Sequence, residues 1–471
     1  MKNIENIFGV SEAQMRTLVG EGLRTGGSWC DLYFEHTVYD DLLLRDSAVG
    51  SGGHHVDYGC GIRVLCGEKT GYAYSESTDW PSLLNAARAA AGIATASKAE
   101  PLRIPAAPAS PGHDFTPERL PWSDARAADF VPMLERLDAR IKALDARAVK
   151  VIALLSWSVS DIMMYNSLGE LTTDHRPIGS ISIQTVFSQG GQTRNTSVSR
   201  SLRAGREMMT DALVEELARN AVKGADALFE AQRPKGGRMS VVMAAGASGI
   251  LLHEAMGHAF EADFNRKGQS IFSDKMGCRI CREGIDIVDD GTLPGMRGSC
   301  NYDDEGVPGQ KTYMVRDGVL TSYLHDRISA ARYGVSPTGN GRRESFRYNP
   351  IPRMRSTYME SGPDGTLQDL IGSVRKGIFV DQFANGEVKI GEGDFTFYVK
   401  SGYLIEKGRL TMPVTDVNII GNGPRALADI KAVAGDLEVD RGTWTCGKEQ
   451  SVPVSCGIPS VLIDKLTVGG Q

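Results

Sequence analysis

A chain of 471 residues is about three times the common domain length of roughly 150, long enough for two large domains or three small ones. Its 52 Lys plus Arg against 58 Asp plus Glu leave a formal charge of −6, which removes the broad positive field that non-specific nucleic-acid binders rely on; nucleic acid is not an expected partner. With 41% hydrophobic and 23% charged residues the composition is that of an ordinary globular protein, and 54 glycines forecast many tight turns.

The first residues hold no charged segment followed by an apolar run, so no secretory signal is expected, and Ser11-Glu12-Ala13-Gln14 reads as the capped opening of an amphipathic helix. Asp31–Thr37 and Asp41–Arg45 read as two short strands. Gly61–Cys66 and Gly71–Tyr74, joined through Gly67-Glu-Lys-Thr70, have the form of a β-hairpin. Asp79-Trp80-Pro81 opens an Ala-rich helix running to about Ala96, with Pro81 where its missing N–H costs nothing. Six prolines between Pro101 and Pro121 disfavour both helix and central strand and mark a surface connection. Phe130, Leu134, Leu137, Ile141 and Leu144 then form the apolar stripe of a helix, followed by strands at about Val149–Ser158, Leu171–His175 and Ile181–Phe187. One long helix is expected from Met208 to about Glu230.

Ala231-Gln-Arg-Pro-Lys-Gly-Gly237 has the composition of a boundary. The expected class is therefore α+β in two domains: a mixed α/β domain over residues 1–232 and a β-rich domain over residues 233–471. The second half opens on the strand-like Met239–Met243 and a helix through Leu251–Asp263. Short strands and turns dominate after Ile285, with Asp289-Asp-Gly291, Arg316-Asp-Gly318 and Pro363-Asp-Gly365 as turn signals and one short helix at His325–Arg332. Met239–Leu252, an uncharged run, is shorter than the ~20 residues that span a bilayer, so no membrane span is expected. Eight cysteines are too sparse for a disulfide scaffold and read as reduced thiols, which points to a cytoplasmic location.

His253-Glu254-Ala-Met-Gly-His258 puts two imidazoles and a carboxylate within six residues. Zinc hydrolases use this combination: neutral imidazoles as ligands, an open position for water, and a carboxylate that takes the water's proton. The spacing is unusual for a helix. Histidines four apart differ by about 40° of rotation, whereas five apart they differ by about 140°, too far for one ion on a regular α-helix. A chelating pair therefore requires a π-type bulge or a break, and Gly257 has the backbone freedom for it. The alternative is a hydrogen-bonded core pair without metal.

The run His253-Glu-Ala-Met-Gly-His-Ala-Phe-Glu-Ala-Asp-Phe-Asn265 closely resembles the signature of the TldD-type metalloproteases of the TldD/PmbA (TldE) family. Asp303-Asp-Glu-Gly306, Pro337–Ser345, Cys446-Gly-Lys448 with Gln450–Val454, and Leu466–Gly470 resemble the same family's C-terminal half, and Tyr58–Val64 with Gly71–Ser75 its first half. The resemblance implies a zinc-dependent peptidase acting on unfolded or short peptides. It also implies a two-domain subunit that dimerises, often with a PmbA (TldE)-like subunit lacking the metal motif. Carried over residue by residue, it implies His253, His258 and Cys446 as Zn²⁺ ligands and Glu254 as general base. A thiolate and two imidazoles form a three-ligand site with a fourth position open. Arg342 and Arg343 could meet a substrate carboxylate and His325 could polarise a carbonyl, although a turn with surface charges and a hydrogen-bonded histidine are the plainer readings. Cys278-Arg-Ile-Cys281 reads as a pair of incidental thiols. The rival to catalysis is a non-catalytic peptide-binding or assembly subunit, against which the intact His, Glu, His and Cys set argues.

Overall fold

The computed structural model describes residues 4–94, 103–110 and 112–470. It opens with α1 (Glu5–Phe8) and α2 (Glu12–Leu23); the Ser11 hydroxyl accepts from the Gln14 N–H, and the Gln14 side chain accepts from the Ser11 N–H at 2.9 Å. This is the capping box read from the sequence. β1 (Trp29–Arg45) is one 17-residue strand where the sequence suggests two. The polar stretch around Asp40 stays in the strand because β2 (Ala48–Cys66) and β4 (Ala148–Asn166) hold its backbone on both sides. β2 turns into β3 (Lys69–Ser75) as the hairpin pattern predicts, but the turn is only Gly67-Glu68, with Gly67 at φ 59°, because Lys69 and Thr70 already pair with Cys66 and Leu65.

α3 (Trp80–Ile93) is capped by Asp79, whose carboxylate accepts from the Ser82 N–H at 3.0 Å. The expected end near Ala96, and Pro101 and Pro111 of the proline-rich connection, lie outside the described residues. The described part of that connection up to Pro121 forms neither helix nor strand. α4 (Val131–Leu144) buries Leu134, Leu137 and Ile141 as its apolar stripe requires. β5 (Leu171–Gln189) and β6 (Gln192–Leu202), like β4, run longer than their apolar patterns suggest. The expected long helix is two, α5 (Asp211–Val222) and α6 (Ala225–Glu230), because Lys223 leaves the helical region (ψ 127°) and Gly224, at φ 77°, redirects the chain into the second.

The first six strands form one antiparallel sheet in the order β3-β2-β1-β4-β5-β6. Side chains alternate across it, so one face packs the helices: Leu32 and Phe34 join the core with α2 and α3, and Leu42, Leu44, Leu155 and Ile183 the core with α4 and α5. The opposite face carries Tyr33, Glu35 and Tyr39 of β1 with Ser156 and Ser158 of β4, and looks onto the C-terminal half, where Phe346 packs against Tyr33. Buried Arg63 ties the two halves through ion pairs of 2.6 Å to both Asp31 and Glu305. Removing one partner from such a buried group costs about 3–5 kcal/mol.

After residue 230 the chain is mainly β, and the fold is α+β. β7 (Gly237–Met243), Lys376–Lys389, Asp394–Glu406, Val417–Asn422 and Val461–Gly470 pair in a closed ring of ladders. A second sheet is built on Ile287–Asp290, Ser356–Met359 and Ser455–Ile458. Besides the expected helix, found at Arg327–Tyr333, short helices form at Leu367–Ser373 and Gly423–Ala428 that the sequence reading missed. No helix among the described residues is long and apolar enough to cross a membrane.

Candidate metal centre

The segment from Ala247 to Phe260 is one right-handed coil of changing pitch: a 3₁₀ turn, an α turn at Ile250–Leu252, a π turn at His253–Gly257 and a final 3₁₀ turn at His258–Phe260. The His258 N–H donates to the His253 carbonyl, the i+5 to i bond of a π turn. That bond stacks residues five apart on one side of the coil, and the two imidazole rings lie 5.2 Å apart at 82°. The required irregularity is therefore present. Its cause differs from the one expected of Gly257, whose φ of −56° is helical; a Cβ there would fall 2.0 Å from the Met354 sulfur, so the glycine is needed for close packing.

Cys446 arrives from a two-stranded hairpin, Thr445–Lys448 paired with Gln450–Pro453. Its sulfur lies 3.3 Å from His258 Nε2, and one ligand atom from each of His253, His258 and Cys446 can be chosen within 4.8 Å of the others. Gly447, expected to give the cysteine room, has open space around it and no positive φ; the tight position is Glu449, at φ 59°. The hairpin is held instead by buried Arg353, which donates to the carbonyls of Cys446 at 2.7 Å and Gln450 at 2.9 Å.

Both ring nitrogens of His253 are buried without a hydrogen-bond partner. An imidazole is not left so in a closed core without cost, and a metal ion on one nitrogen would satisfy that nitrogen and so reduce the cost. Burial alone would raise the Cys446 thiol, but His253 and then His258 hold it well below its ordinary value, so the sulfur favours the thiolate that ligates. Two imidazoles and a thiolate fit zinc. Glu254, 21% exposed at its side chain, keeps its carboxylate 3.9 Å from His258 Nε2 and is the more open member of the group.

Sequence reasoning gave no role to the groups behind His258. Glu261 Oε2 lies 2.9 Å from His258 Nδ1 and 2.9 Å from Lys448 Nζ. Lys448 also donates to Asp263 at 2.8 Å and to the Pro352 carbonyl at 3.1 Å, so all three ammonium hydrogens have acceptors. Burial works against ionised Glu261, yet Lys448 and then His258 hold its carboxyl well below the usual range. With Nδ1–H held by Glu261, His258 presents Nε2 to the cluster. The available signal was the strand period, which puts Lys448 on the same face as Cys446.

The remaining sequence candidates lie elsewhere. Arg342 donates to the Met354 and Pro453 carbonyls, and Arg343 to the Asp304 carbonyl and the Tyr72 hydroxyl; neither is a surface turn charge, since both are under a tenth exposed. His325 is buried against Tyr323 and Tyr333, and burial pulls its pKa to about 4. None of the three bonds to His253, His258, Cys446 or Glu254. Cys278 is exposed and Cys281 buried, both as free thiols.

Such a donor set, with a carboxylate beside it, is that of a metal-dependent hydrolase of the metallopeptidase kind. Family models of the PmbA/TldA metallopeptidase match in three parts: domain 1 at residues 30–94, the central domain at 120–229 and the C-terminal domain at 236–470. The "Metalloprotease TldD homolog" of Haemophilus influenzae is 37% identical over 458 residues, 94% of this chain and 93% of that protein. The "Zinc metalloprotease TldD homolog" of Saccharolobus solfataricus is 32% identical over 62% of this chain and 65% of its own length. The solved structure of TldE from Thermococcus kodakarensis shares the fold, with a TM-score of 0.74 at 18% identity over 97% of this chain and all of that one. The chain belongs to the TldD/PmbA family of metallopeptidases.

Proposed function

We propose that the protein is a zinc peptidase that hydrolyses unfolded or short peptides, with His253, His258 and Cys446 as ligands and Glu254 as general base. The observation that carries this reading is the convergence of the three ligand atoms on a π turn whose His253 nitrogens have no other partner. Zinc in this position supplies Lewis acidity toward the scissile carbonyl. Glu254, outside the ligand set and partly open to solvent, takes the proton of the attacking water and returns it to the leaving amine. Glu261 holds His258 in the tautomer that ligates, and Arg353 holds the strand that carries Cys446.

Residues 1–232 are read as a unit supporting the metal-bearing unit 233–471, a division supported by their sheets, which among the described residues share no strand ladder beyond the isolated bridge Leu202–Met296. All eight cysteines are free, which supports a reducing, cytoplasmic compartment. Dimerisation, with a second copy or a TldE-like subunit, belongs to the same reading; the likeness to the solved TldE structure supports a related subunit as the kind of partner.

Elemental analysis of the purified chain is expected to find about one zinc per chain. A chelator is expected to remove the metal and peptide cleavage together, and added zinc to restore both. A chain with neither bound metal nor uptake on addition refutes the reading. Glu261→Gln is expected to weaken zinc binding about 10–100-fold in competition with a chromophoric chelator, because the group orienting His258 is lost. Unchanged affinity would show that His258 is oriented by its packing alone.

A further inference from the structure

A cavity of about 430 Å³ lies between the polar face of the N-terminal sheet and the C-terminal half. It sits back to back with the metal centre across the cysteine hairpin. Thr445, Ser451 and Pro453 line it, whereas Cys446 and Val452, which pair across the hairpin, belong to the opposite face by strand alternation. Its walls carry Arg176, Arg203, Arg297, Arg342, Arg343 and Arg355.

Two of the six are matched by carboxylates. Arg176 reaches Asp174 at 2.7 Å and Asp304 at 2.5 Å, and Arg343 lies 3.6 Å from Asp31. Among the described residues Arg203, Arg297, Arg342 and Arg355 have no carboxylate within 4.0 Å. Their hydrogen bonds go to neutral oxygens: Arg203 to the Arg297 carbonyl, Arg355 to the Gly339 carbonyl, Arg342 to two further carbonyls, and Arg297 to the Trp444 carbonyl and nearby hydroxyls. Among the described residues Arg203 and Arg355 thus each commit only the Nε–H, and both terminal amino groups have no protein acceptor.

Arg203, Arg342 and Arg355 are each under a tenth exposed. Burying like charges together without counter-charge is costly, and a bound anion relieves that cost. The strain shows in the groups themselves: burial, and then the neighbouring Arg176 and Arg355, pulls Arg203 down to about 10, and burial does the same to Arg297. A guanidinium presents paired N–H groups that match two oxygens of one carboxylate or phosphoryl group. Glu35, Asp40, Asp41, Asp304 and Glu344 also line the cavity and disfavour a long polyanion, so the ligand is small; Asp304, paired with Arg176, offsets part of the charge on Arg342 without reaching it directly.

We propose that this cavity is a binding site for a small oxyanion, a carboxylate or phosphoryl group seated among Arg203, Arg297, Arg342 and Arg355. It shares no residue with the metal centre and stands whether or not the chain is a peptidase.

Calorimetric titration of the full chain as purified, with inorganic phosphate and with succinate, tests it; succinamide and chloride are the neutral and monatomic comparisons. Saturable binding of phosphate, of succinate or of both is expected, weakened at least tenfold in Arg203→Gln, with neither comparison binding. Phosphate alone assigns a phosphoryl ligand and succinate alone a carboxylate. Arg203 is the residue to change because Arg297 also holds Trp444, next to the cysteine strand. Should the variant not fold, phenylglyoxal labelling of the wild-type chain gives the second measurement, read by peptide mass mapping. The binding anion is expected to slow labelling of Arg203 and Arg355 and leave exposed Arg136 unchanged. Binding undiminished in folded Arg203→Gln, equal labelling with and without anion, or no binding by either anion overturns the proposal.

Discussion

Glu254→Gln is expected to lower kcat/KM for peptide cleavage by about 10²–10⁴-fold, the usual contribution of a general base, while zinc content stays at that of the wild type. Glutamine keeps the shape and the hydrogen-bonding oxygen but cannot take a proton near neutral pH. The three ligand atoms converge without Glu254, so its replacement leaves the donor set intact. Its side chain is the exposed one of the group, and the change adds no cavity to the core around Ala255 and Met256. Steady-state kinetics beside elemental analysis of the same preparation give the answer. Zinc lost together with activity would make Glu254 a ligand. Activity retained would pass the proton transfer to another group.

The convergence of His253, His258 and Cys446 was legible because the first two are local and their spacing forces the geometry. Histidines five apart cannot share an ion on a regular helix, so chelation implied the bulge that the His258-to-His253 backbone bond now supplies. What supports the centre was not legible. Glu261 and Lys448 meet across 187 residues, and nothing in either local sequence reveals the partner. Arg342 and Arg343 stood in a turn-like stretch that reads as surface, whereas tertiary packing buries both.

The same contrast holds for the fold. Local signals survived: the capping box at Ser11, the hairpin around Gly67, though with a tighter turn than the four residues expected, and the stripe of α4. Long strands were under-read because β1 is sustained through its polar middle by neighbours on both sides, a cooperative effect that no window of its own sequence contains. The opposite error occurred at Lys223-Gly224, where an apolar pattern continued through an extended residue and a left-handed glycine that separate two helices. The helices at Leu367–Ser373 and Gly423–Ala428 span two turns or fewer, too short for periodicity, although Thr366 and Asp369 form a capping box that marks the first.

Cys446→Ala is expected to remove zinc binding and activity together, and Cys456→Ala to preserve both. The two thiols are ten positions apart in sequence and both buried, yet their surroundings differ. Cys446 lies 3.3 Å from His258 Nε2 and is held toward the thiolate by the two histidines. Cys456 lies on Ser455–Ile458, inside the main apolar core of the C-terminal half, where burial pushes its thiol well above the ordinary value. It is a packing group, and trimming it removes one small atom at a cost on the order of 1 kcal/mol, which lowers melting temperature and leaves the metal in place. Loss of Cys446 leaves two imidazoles to hold the ion. Of the carboxylates near the cluster, Glu261 is engaged by His258 Nδ1 and Lys448 and Asp263 by Lys448, which leaves Glu254, 3.9 Å from His258 Nε2, as the one that could approach the ion, at the expense of its role as base. The loss of affinity should therefore exceed the roughly 10–100-fold expected of Glu261→Gln, whose substitution changes only the orientation of a ligand. Metal content equal to wild type in Cys446→Ala would mean that a carboxylate had taken the place of the sulfur: Glu261 or Asp263, whose departure from the buried Lys448 would lower the melting temperature, or Glu254, whose recruitment would leave the melting temperature unchanged and remove the base.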